Sequence, residues 1–138
     1  MSDKEAGCSV PVFHAEVKTS KLLLTVIYSH GNSSNLADAI RFLELLGKKN
    51  NERVAFNLVS YDFSGYGESE VRETTEESMV RDLQMVIKWL KVPHSSIVLW
   101  GFSLGTYPTV QVAAKLKIGG VILHCPLASG ACFLDGSE

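Results

Sequence analysis

Four short apolar runs recur along the chain, at residues 22–28, 54–61, 97–100 and 121–124. Near-continuous runs of this length fit strands buried on both faces, as in a parallel sheet covered by helices. Between them the period changes. Leu36, Ala39, Ile40, Leu43 and Leu46 recur at helical spacing, and so do Met79, Val80, Leu83, Val86, Ile87 and Leu90. Gly47 is a helix stop, followed by a solvated turn at 48–51. Thr74 with Glu77 offers a capping box for the second helix, and Pro93 breaks the chain after it. Pro108 is tolerated only in a first helical turn, so a third helix starts just past Ser103; Val110, Ala113 and Ala114 continue it and Gly119-Gly120 closes it. Residues 10–17 read as an edge strand, because Pro11 confines them to an edge or a strand start. Residues 1–10 have no periodicity and read as a loose end. The expected organisation is an N-terminal segment at 1–20 and one domain at 21–138. Strand and helix alternate through that domain, which predicts an α/β fold, a mainly parallel sheet of about four strands with right-handed crossovers and helices on both faces.

The chemistry gathers where these strands end. Three loops at strand C-termini are polar or glycine-rich: 29–35, 62–69 and 101–106. Ligands of open α/β sheets bind at that edge. In the last loop, Gly101-Phe102-Ser103-Leu104-Gly105 places a serine between an apolar strand and a helix start. Gly101 and Gly105 leave room for a sharp turn, which puts the serine in a backbone region few residues tolerate. The free amides of the helix behind it then point at whatever Ser103 attacks. Asp62 ends the second strand and reads as fixing the turn to Gly67. His124 ends the fourth strand, either as a substitute base for Ser103 or as a structural histidine; His94 beside Pro93 reads as a surface residue.

Composition narrows the class. Hydrophobic residues make up 46% of the 138 and charged residues 20%, which suits a soluble globular domain. A net charge of −2 points away from nucleic acid. Cys8, Cys125 and Cys132 have no metal-ligand spacing, so no metal site is expected; they read as reduced thiols of a cytoplasmic protein. Cys125 reads as a small core residue, Cys8 as an ordinary thiol, and Asp135 as part of a frayed tail. The opening Met1-Ser2-Asp3-Lys4-Glu5 is not a signal peptide, and no apolar run is long enough to span a bilayer.

With the loops placed, the chain resembles the α/β-hydrolase superfamily, and within it the α/β-hydrolase domain-containing protein 17 group, serine hydrolases that remove palmitate from proteins. Four stretches carry the likeness: Tyr28-Ser29-His30-Gly31-Asn32, the run from Ser60 to Ser69, the run from Gly101 to Val110, and the run from Val121 to Gly130. The resemblance implies Ser103 as acyl nucleophile and the backbone amides of Asn32 and Leu104 as oxyanion donors. It implies that His30, Gly31, Gly101 and Gly105 shape the site, and that no cofactor is used. The expected substrate is an acylated protein or a small ester or thioester. Peripheral membrane association is a further expectation. The family's triad acid and histidine follow later strands, and no position here matches either. A serine without a base is a poor nucleophile, so the chain reads as C-terminally truncated and weakly active or inactive, a hydrolase-like binding domain being the alternative. An open apolar edge at 121–123 would invite self-association.

Overall fold

The computed structural model describes residues 2–3, 8–16, 23–47, 55–69 and 73–127. Two-residue strands β1 (Ser2–Asp3) and β2 (Cys8–Ser9) pair antiparallel. Then follow β3 (Val12–Ala15), β4 (Leu23–Ser29), α1 (Leu36–Gly47), β5 (Ala55–Tyr61), α2 (Glu76–Leu90), β6 (Ile97–Phe102), α3 (Thr106–Ala113) and β7 (Gly120–His124). The main sheet has the order β3-β5-β4-β6-β7. Its last four strands are parallel, and β3 runs antiparallel against β5 with Val12 opposite Tyr61. Pro11 immediately precedes β3, where a missing N–H costs no ladder bond.

Alternation along each strand sorts side chains onto two faces. Ile27, Val59, Ile97 and Leu99 join Met79, Leu83, Val86 and Ile87 of α2 and Val112 of α3 in one cluster. Tyr28 and Leu58, one residue along, join Ala39 and Leu43 of α1 in the other. Helices therefore cover both faces, α1 on one and α2 with α3 on the other.

Several local expectations change. The helix α2 is capped by Thr75, whose hydroxyl accepts from the Ser78 amide at 3.1 Å while Ser78 Oγ accepts from the Thr75 amide at 2.9 Å. Thr74 instead donates to Ser64 O at 2.9 Å, so the box sits one residue later than the Thr74–Glu77 pattern indicated. The third helix ends at Ala113, and Gly120 opens β7 rather than closing the helix. His94 is exposed in a single 3₁₀ turn, His94–Ser96, and its carbonyl accepts from Gly119. Val10, in the aperiodic segment, is fully buried in the α2 cluster. Cys125 is exposed and not a core residue, because the β7 strand before it is itself exposed over most of its length. The turn at 48–51, the Leu46 side chain, Cys132 and Asp135 lie outside the described residues.

Candidate active site

Strand order places the crevice. From β4 the chain leaves through α1 toward β5; from β6, its neighbour on the other side, it leaves through α3 toward β7. The two connections diverge, and open parallel sheets bind ligands where such connections part. The loops after β4 and β6, which hold Gly31-Asn32 and Ser103-Leu104, face each other there.

Ser103 stands at φ 49°, in the left-handed region that L-residues rarely adopt. It opens a 3₁₀ turn, Ser103–Gly105, that runs straight into α3. Two close backbone approaches hold it. A Cβ at Gly105 would lie 2.1 Å from Ser29 O, and one at Gly101 would lie 2.5 Å from Gly105 O, so neither position accepts a side chain. Thr106 Oγ1 donates to Ser103 O at 2.6 Å and accepts from the Leu127 amide at 3.2 Å, and Thr109 Oγ1 donates to Gly105 O at 2.9 Å. Strain of this kind, of order 1–3 kcal/mol, persists only where the surroundings over-determine it. Leu104 is buried beside Ser103.

Opposite lies the β4 loop. A Cβ at Gly31 would be 3.4 Å from Ser103 Cβ and 3.0 Å from the Phe102 ring, so only a glycine lets the loop come this near the serine without a neighbour yielding. The Gly31 carbonyl accepts from His30 Nδ1 at 2.9 Å and from the Ser34 amide at 3.2 Å. A carbonyl only accepts, so Nδ1 carries a proton. The Gly31–Asn32 peptide is planar and trans, so this carbonyl and the Asn32 N–H point in opposite directions. Holding the carbonyl on the buried His30 ring thereby aims the Asn32 amide away from it.

His30 is fully buried, stacked at 4.7 Å on Phe63 and at 5.6 Å on Tyr66. Its Nε2 lies 3.3 Å from Asp62 Oδ1, out of hydrogen-bond alignment. Asp62 Oδ1 accepts from the Leu36 amide at 2.6 Å, where α1 begins, and Oδ2 from the Glu68 amide at 3.2 Å. Burial pushes the Asp62 carboxyl up, but the His30 ring and the Glu68 and Leu36 amides outweigh it and hold the group below the ordinary carboxylate range. Asp62 therefore locks its own turn, as the sequence indicated, and joins it to α1. Gly67, at φ 51°, is indispensable to that turn, because a Cβ there would sit 2.0 Å from Asp62 Oδ2.

A second buried carboxylate, Asp82, carries no motif that marks it in the sequence. On α2 it accepts from the Ser64 amide at 2.7 Å and from Arg81 at 3.0 Å, bracing the 62–69 loop from below. The available signal was its position: residue 82 lies three past Met79 and four before Val86, on the apolar stripe. Thr106 and Tyr66 were also missed, since neither type marks a site by itself.

The histidines do not gather at the serine. His124 is exposed, with its ring 4.8 Å from Phe102, and His30 is turned to Gly31 and Asp62. Among the described residues, none hydrogen-bonds Ser103 Oγ.

The alpha/beta hydrolase fold family matches residues 25–135, which contain both loops and the serine. The chain belongs to that family. Among curated relatives, it is 38% identical over 110 residues to alpha/beta hydrolase domain-containing protein 17C of Xenopus tropicalis, covering 77% of this chain and 34% of that one. It is 36% identical to alpha/beta hydrolase domain-containing protein 17B of Homo sapiens, again over 77% of this chain and 36% of the relative. The chain thus spans about a third of the length of the curated relatives it matches. Among solved structures it is similar to an esterase from Exiguobacterium antarcticum, with a TM-score of 0.68, 22% identity, and coverage of 89% of this chain and 43% of that one. It is equally similar in shape to the bottromycin epimerase BotH, with a TM-score of 0.69, 20% identity, and coverage of 88% and 46%. An esterase and an epimerase on one backbone show that the fold alone does not choose the chemistry. No helix among the described residues is long and apolar enough to cross a membrane.

Proposed function

We propose that this hydrolase-family chain carries the nucleophile and oxyanion half of a serine hydrolase site acting on acyl esters or thioesters, with palmitoylated protein as the substrate class that the sequence resemblance implies. The observation that carries the reading is Ser103 at φ 49° on the strand-to-helix turn, facing the Gly31-Asn32 loop. Ser103 Oγ attacks the acyl carbonyl and loses its proton to a base. The carbonyl electrons move onto the oxygen, which the Asn32 and Leu104 amides receive. Collapse expels the thiol or alcohol and leaves an acyl-Ser103 ester, which water then hydrolyses. Losing one oxyanion donor of this kind typically costs about 10²–10³ in rate.

Among the described residues no side chain hydrogen-bonds Ser103 Oγ, which favours a second reading: a hydrolase-like binding domain that holds an acyl group without turning it over. Labelling with a fluorophosphonate separates the two. The enzyme reading expects label on the wild-type chain that Ser103→Ala abolishes. Equal labelling of both removes it.

A further inference from the structure

We propose that Tyr66 is a positioning residue for the oxyanion loop, its hydroxyl tethering Asn32 so that the Asn32 amide keeps its direction toward the Ser103 crevice. The inference rests on the reading of Ser103 as nucleophile and of the Asn32 amide as oxyanion donor, and it assigns a role to a side chain that takes no part in the chemistry.

Asn32 is exposed at the tip of its loop, where a backbone amide would ordinarily fluctuate. One end of its peptide is fixed, since the Gly31 carbonyl is held by His30 and Ser34. The other end is held by Tyr66, whose hydroxyl donates to Asn32 Oδ1 across 34 positions of sequence. Tyr66 is suited to this because its own place is over-determined. Its amide donates to Phe63 O and its carbonyl accepts from Ser69, each at 2.9 Å, and it sits between Gly65 at φ 86° and Gly67 at φ 51°. Its ring packs edge-on against Phe63 at 5.9 Å and tilted on His30 at 5.6 Å. His30 thus supports both restraints: its Nδ1 holds the Gly31 carbonyl, and its ring carries the tyrosine that holds Asn32. The turn around Tyr66 is in turn locked by Asp62 through Glu68. Burial pushes the Tyr66 phenol up, so it remains a donor across the neutral range.

Tyr66→Phe removes the hydroxyl and keeps the ring, so packing on His30 and Phe63 is preserved. In the full chain, the 15N order parameter of the Asn32 amide should fall from the rigid range near about 0.85 to below about 0.6, while those of Ile27 and Leu99 and the thermal midpoint stay unchanged. Asn32→Ala approaches the same tether from the other end. Fluorophosphonate labelling of Ser103 should slow about tenfold in Tyr66→Phe, and Tyr66→Phe should add nothing in an Asn32→Ala background. An unchanged Asn32 order parameter overturns the tether, whether or not Ser103 labels. A wild-type chain that labels at the same rate as Tyr66→Phe overturns the positioning role and leaves the hydrolase reading standing. Loss of Asn32 order in a chain that never labels supports the tether and removes the hydrolase reading.

Discussion

Strands β4 and β7 look alike as sequence and have opposite surroundings. Both are short apolar runs that lead into a loop at the same sheet edge. In β4, flanked by β5 and β6 and covered on both faces, Ile27 is fully buried and Thr25 is only 2% exposed. In β7, at the end of the sheet, Val121, Ile122 and Leu123 are 42–44% exposed. An apolar strand states its need for cover, and the neighbours decide whether the need is met. The candidate site is braced mainly from the covered side: β4, β6 and the 62–69 loop are cross-braced by Ser29, Asp62, Asp82 and Thr106, whereas β7 and the residues after it add the pairing with the end of β6, His124 against Phe102 and the Leu127 amide on Thr106.

Substitutions should make this contrast measurable. The largest effect belongs to the centre: Leu99→Ala should cost about 3–4 kcal/mol by urea unfolding, because the fully buried Leu99 is surrounded by α2 and α3 side chains that cannot close the void. Ile122→Ala, half-exposed on β7, should cost less than about 1 kcal/mol. Comparable losses at the two positions would dissolve the distinction.

Glycines sharpen the same comparison. Gly105→Ala sets a methyl 2.1 Å from the Ser29 carbonyl, backbone against backbone, and should lose about 3 kcal/mol or fail to fold. Gly120→Ala, at the start of β7, meets only the Val98 methyls, at 3.5 and 3.8 Å, and should shift stability by no more than about 0.5 kcal/mol. Thermal midpoints of the two variants are the measurement.

A smaller, pH-dependent effect comes from Asp62. Its carboxyl titrates below the ordinary range in the folded chain. The stabilisation is therefore complete above the unfolded carboxylate value near about 4 and is lost as pH falls through the lower folded value. Asp62→Asn should cost about 2 kcal/mol at neutral pH, because charge-assisted bonds from Leu36 and Glu68 are replaced by weaker ones and one donor is left facing an NH₂. Unfolding midpoints of the variant should also fall less steeply on the acid side. A wild-type acid limb as flat as the variant's would show that Asp62 takes no part in it.

Periodicity was enough for the alternation of strands and helices, for α1 ending at Gly47, and for the edge character of β3 after Pro11. Those features depend on local steric rules and on which positions want burial. The capping of α2 was misplaced by one residue because Thr74 and Thr75 are both good caps, and only the distant Ser64 carbonyl draws Thr74 away. The apolar strand before Cys125 predicts a buried thiol, because a residue in that place usually is buried. Its exposure follows from the place of β7 in the sheet order, which periodicity does not contain.

By itself the sequence determined the α/β alternation, the glycines that permit close turns, and the serine at a strand-to-helix junction, since each is written in contiguous residues. Only the tertiary structure decided what surrounds them. It put Ser103 at φ 49° against Gly31, set His30 between the Gly31 carbonyl and Asp62, and brought Tyr66 to Asn32. These are contacts between loops some 30 to 70 residues apart in sequence. Their partners are chosen by the order and parallel register of the strands that carry them, which no local pattern specifies.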